Sequence, residues 1–67
     1  MYYIYDPETE AYFKRYEGGY VYMAEDKTEA IVFENSDVAN YNLFKLQMAL
    51  GELKKDWIIK HFTVCEL

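Results

Sequence analysis

The sequence predicts an α+β fold in the order β-β-β-α-β, an antiparallel sheet of three to four strands with one long helix packed on one face. Three observations predict it. Residues 36–54 carry leucines at helical spacing, turn residues cut the chain before them into short aromatic runs, and one more apolar run, 57–64, follows. A chain of 67 residues has room for one domain, so residues 1–67 are read as a single small α+β unit.

Residues 2–5 and 11–16 are rich in tyrosine and phenylalanine, which favour strands. Between them Asp6-Pro7-Glu8-Thr9-Glu10 is a turn, with aspartate at its first position and proline fixing φ at its second. The two runs therefore pair as an antiparallel hairpin. Strand alternation sends Tyr2 and Ile4 to one face and Tyr3 and Tyr5 to the other, so both faces are adhesive. Glu17-Gly18-Gly19 forms the next tight turn, and Tyr20-Val21-Tyr22-Met23 is the third strand of a meander. Ala24 to Ala30 is polar, with a helical turn expected around Asp26 to Ala30. Ile31-Val32-Phe33 fits either a brief strand or a buried loop.

The helix is expected from Ser36, which caps its first turn, with Asp37 favouring the positive end of the dipole. Ala39, Leu43, Leu46, Leu50 and Leu53 fall on one stripe, the core face. Tyr41, Phe44 and Met48 form a second apolar stripe roughly opposite. A helix lying on one sheet has only one face covered by it, so the second stripe needs flanking loops, a second copy of the chain or a foreign partner. Gly51 is tolerated inside the helix, which stops at Lys54-Lys55. Residues 57–64 then form the last strand, for which a central place in the sheet is one option, with Ile58, Phe62 and Val64 on one face and Trp57, Ile59, His61 and Thr63 on the other.

A domain this small buries only about 60% of its unfolded surface and usually needs reinforcement. One cysteine excludes an internal disulfide, and one histidine with one cysteine falls short of a structural zinc site. Self-association or a dense aromatic core remains, and 19% of the residues are aromatic. The lone cysteine points to a reducing compartment. With no signal-like start and no apolar run of about 20 residues, the expectation is a cytoplasmic protein.

The net charge is −5 and unevenly placed. Residues 1–40 hold nine acids against three bases, a net of −6, while residues 41–67 net +1. That sign opposes direct nucleic-acid binding, which uses basic patches. Catalysis is not expected either: there is no phosphate-binding glycine loop, no paired histidines and no cysteine-histidine-carboxylate spacing. His61 and Cys65 would stand about 13 Å apart on a strand. Asp6, Glu8 and Glu10 lack the glycine and bidentate glutamate of a calcium loop and read as a solvated acidic turn. No cofactor and no metal are expected.

What remains is tyrosine interleaved with carboxylates. Tyr3, Tyr5, Tyr12, Tyr20 and Tyr22 offer large contact area at little entropic cost. Glu8, Glu10, Glu17, Glu25, Asp26 and Glu29 can imitate nucleic-acid phosphates before a basic groove. In size, acidity, tyrosine content and lack of catalytic motifs, the whole chain resembles the small proteins that phages and mobile elements encode against host systems, including anti-CRISPR and anti-restriction proteins. The resemblance implies a non-enzymatic inhibitor of a nucleic-acid-handling host enzyme such as a CRISPR effector, acting in the host cytoplasm, in some cases as a DNA mimic. It involves no diagnostic motif, so no family site transfers. Partners are therefore expected to be a protein with a basic surface or, as an alternative, a second copy of the chain docking through Tyr41, Phe44 and Met48. Single-stranded RNA stacked on the tyrosines is the minor third option.

Overall fold

A computed structural model of the chain describes residues 1–52 and 62–67. Its element order is β1 (Tyr2–Asp6), β2 (Ala11–Glu17), β3 (Tyr20–Ala24), a 3-10 turn (Lys27–Glu29), α1 (Ser36–Glu52) and β4 (Thr63–Glu66). The strands form one antiparallel sheet in the order β3-β2-β1-β4, with α1 on one face. This is the expected small α+β fold.

Each turn forms for the reason the sequence supplies. Asp6 turns its carboxylate inward, where it accepts the Glu8 N–H at 3.0 Å and the Thr9 hydroxyl at 2.7 Å. Asp6 is buried and Glu8 and Glu10 are exposed, so the solvated acidic turn excludes Asp6. Glu10 closes the loop with φ of 57°, a left-handed conformation that costs an L-residue about 1 kcal/mol. Gly18 and Gly19, at φ of 60° and 84°, make the two-residue turn that joins Glu17 to Tyr20. Asp26 caps the 3-10 turn through the Thr28 N–H at 2.9 Å.

The β1–β2 ladder is short, with Tyr5 opposite Tyr12 and Asp6 opposite Ala11. Beyond it the strands part, and residues 31–33 enter the opening. Phe33 exchanges two backbone hydrogen bonds with Tyr2, at 2.8 and 2.9 Å, and the Ile31 N–H donates to the Phe13 carbonyl. The run that fitted either strand or loop is thus an isolated bridge, with Phe33 buried and Ile31 and Val32 exposed.

Three expectations change. Asn35, not Ser36, caps the helix: its side-chain oxygen accepts the Val38 N–H at 2.9 Å, and its carbonyl accepts the first helical N–H, from Ala39. Ser36 is the first helical residue. The last strand is an edge, not central. The β1–β2–β3 meander leaves one side of β1 open, and β4 adds there, whereas a central place would require splitting a hairpin. Among the described residues it spans Thr63 to Glu66, two residues past the expected end, with Phe62 just ahead of it. The expected strand positions of Trp57, Ile58, Ile59 and His61, the core position of Leu53 and the helix end at Lys54-Lys55 lie outside the described residues, as does the side chain of Leu50.

The core sits between α1 and the sheet. Ile4, Phe13, Phe33, Ala39, Leu46 and Phe62 are buried together, with Tyr2, Val21, Met23, Leu43 and Val64 packed around them. Ala39, Leu43 and Leu46 come from the expected stripe. The helix lies over β1 and β4; the other sheet face has no second helix among the described residues, and the 3-10 turn packs against β2 and sets Lys27 over Tyr3.

Candidate functional site

Strand alternation and register decide which side chains share the open face. Tyr2, Ile4, Phe13, Val21 and Met23 point to the core, so their strand neighbours point away from it. Tyr3 and Tyr5 on β1, Tyr12 on β2, and Tyr20 and Tyr22 on β3 therefore project from one surface. All five tyrosines singled out in the sequence meet there. Tyr12 sits centrally, its ring centroid 5.7 Å from that of Tyr3 and 5.0 Å from that of Tyr5. Cys65, half-buried, stands opposite Tyr3 on β4.

The same face carries two cations that the sequence did not assign to it. The Arg15 guanidinium lies 4.2 Å from the centroid of Tyr22, and the Lys27 ammonium 4.8 Å from that of Tyr3. A bulge places Arg15 there. The register of β2 against β3 shifts between Phe13 and Arg15, so Lys14 is the extra residue and Arg15, rather than Lys14, shares the face of Tyr22. These contacts are cation–π pairs of the ordinary kind.

The six singled-out carboxylates do not form one patch. Glu8 and Glu10 lie in the β1–β2 loop, and Glu25 and Asp26 follow Ala24, which stands opposite Tyr12. These four rim one end of the sheet. Glu17 lies at the other end, five residues or about 17 Å along β2 from Tyr12, and is paired with Arg15 at 3.3 Å. Glu29 is paired with Lys14 at 3.2 Å. Hydrogen bonds from the Thr28 N–H and hydroxyl hold the Asp26 carboxyl below the usual aspartate range. Partial burial, then the charge of Glu10, pushes the Tyr5 hydroxyl above the usual tyrosine value.

The second surface is on the helix. Tyr41, Phe44 and Met48 are 62%, 57% and 55% exposed, so no described residue covers the stripe. Phe44 and Met48 also border a cleft of about 580 Å³ between α1 and β2, whose far wall includes Phe13, Tyr16 and Ile31.

Among the described residues no three His, Cys, Asp or Glu side chains gather as a metal site, and no helix is long and apolar enough to cross a membrane. The chain matches no protein-family model, no curated protein and no solved structure.

Proposed function

We propose that the chain is a non-enzymatic protein-binding module, an inhibitor or modulator of a nucleic-acid-handling host enzyme such as a CRISPR effector. One observation carries the reading: five tyrosines share the sheet face turned away from the helix, Tyr20 and Tyr22 exposed and Tyr3, Tyr5 and Tyr12 half-buried. Tyrosine is favoured at interfaces, and an open aromatic surface of this kind marks a docking site. The chemistry of the rings supports a basic partner. Tyr22 and Tyr3 each hold a cation of the chain itself at stacking distance, and the exposed Tyr20 offers a further ring of the same kind. Glu8, Glu10, Glu25 and Asp26, at one end of that face, supply the countercharge and would steer a basic groove toward it.

The test is target cleavage by a CRISPR effector nuclease in the presence of the chain at rising salt. Inhibition that weakens steeply with salt, and that is lost when Glu8, Glu10, Glu25 and Asp26 are replaced by their amides, supports the reading. Absence of inhibition, or inhibition indifferent to salt and to those substitutions, contradicts it.

A second reading has its own observation. The exposure of Tyr41, Phe44 and Met48 favours a homo-oligomer formed through the helix. Phe44→Asp should then give a folded monomer.

A further inference from the structure

The exposed face of α1 is wider than its three large apolar residues. On a helical projection Asp37, Val38, Tyr41, Phe44, Lys45 and Met48 fall within one sector of about 120°, centred on Tyr41. All six are exposed. Asp37, Tyr41 and Lys45 make one i, i+4 row, with an acid at its N-terminal end and a base at its C-terminal end. Eight residues separate Asp37 from Lys45, about 12 Å along the axis, so they cannot pair within one helix. Nor does either take part in the ion pairs seen among the described residues, Lys14–Glu29 and Arg15–Glu17. The Lys45 ammonium instead rests 5.3 Å from the Tyr41 ring centroid.

Such a row is complementary to its own reverse. From this we infer that a second copy of the chain covers the helix face, with the two α1 helices antiparallel and the two-fold axis passing beside Tyr41. The inference rests on the homo-oligomer reading and gives it a register. About that axis Asp37 of each chain stands beside Lys45 of the other, twice. A symmetric dimer requires this reciprocity. Rows spaced i, i+4 interdigitate when helices cross at about 50°, which lets Tyr41 of the two copies pack side by side. The apolar part of the sector, Val38, Tyr41, Phe44 and Met48, is small beside the about 800 Å² per partner of a standard interface. The dimer is therefore weak and reversible, and its charge pairs set register and selectivity more than affinity.

Sedimentation equilibrium of the full chain tests this, with Lys45→Glu, the double variant Asp37→Lys/Lys45→Glu and Phe44→Asp, each checked for native circular dichroism. The wild type should dimerise at high concentration. Lys45→Glu, which sets two acids side by side, should weaken the dimer about tenfold or more, and the double variant should recover to within about threefold. A dimer broken by Phe44→Asp but indifferent to the charge changes overturns the register and leaves the oligomer reading standing. A wild type that stays monomeric at millimolar concentration overturns both and assigns the helix face to a different protein. A dimer that survives Phe44→Asp but is lost in Tyr12→Ala overturns both in favour of the sheet face.

Discussion

Tyr5 and Tyr12 stand directly opposite on β1 and β2, ring centroids 5.0 Å apart and planes tilted by 42°. They occupy the last paired position before the two strands part and residues 31–33 enter between them. Their contact therefore closes a ladder of two residue pairs from the side the helix does not reach, and Tyr3 adds a second ring to it.

Tyr12→Ala should accordingly cost stability, although Tyr12 is outside the core. It removes two ring pairs worth about 0.5–1.5 kcal/mol each, so a loss of about 2 kcal/mol is expected in urea unfolding. Tyr20→Ala, at a 70% exposed site on the same face, should stay within about 0.5 kcal/mol.

Asn35→Ala should lower stability by about 1 kcal/mol, because it removes the acceptor of the Val38 N–H. Ser36→Ala should cost less. Thermal melts of the two variants would separate the neighbouring cap candidates.

These outcomes bear on what was legible in the sequence. Asp6-Pro7 and Gly18-Gly19 fix the turns, and with them the meander and the alternation that groups Tyr3 with Tyr5 and Tyr20 with Tyr22. The leucine stripe fixes the helix face. Asn35 and Ser36 are both good caps, and composition does not choose between adjacent ones. The junction of the two tyrosine pairs through Tyr12 depends on register. Moving Arg15 onto Tyr22 depends on a one-residue bulge, which no residue type announces. The split of the carboxylates follows from which strand ends lie together, a property of topology rather than of local pattern.

Glu10→Gly should stabilise the fold by about 1 kcal/mol by relieving a side chain held at positive φ. Glu10→Ala, which keeps a side chain at that φ, should not. Chemical denaturation of both variants checks the pair.

The raised Tyr5 hydroxyl makes stability fall at alkaline pH. A tyrosine that holds its proton more tightly when folded contributes fully below its unfolded value, near 10, and that contribution is lost as pH rises from there through the folded value. Glu10→Gln removes the largest charge contribution to the shift. Ultraviolet titration should show the Tyr5 ionisation moving down toward the ordinary value, with a smaller alkaline loss of stability.

The eight tyrosines are built-in reporters of which surface binds. Tyr3, Tyr5, Tyr12, Tyr20 and Tyr22 lie on the open sheet face, Tyr2 packs against the core, Tyr16 borders the cleft and Tyr41 rides the helix. The most direct measurement is the ring spectrum of tyrosine-labelled chain by nuclear magnetic resonance as a CRISPR effector is titrated in. Docking through the sheet face should make its five tyrosine signals shift or broaden together while Tyr2 and Tyr16 hold. Signals that never move, or changes confined to Tyr41, would contradict it.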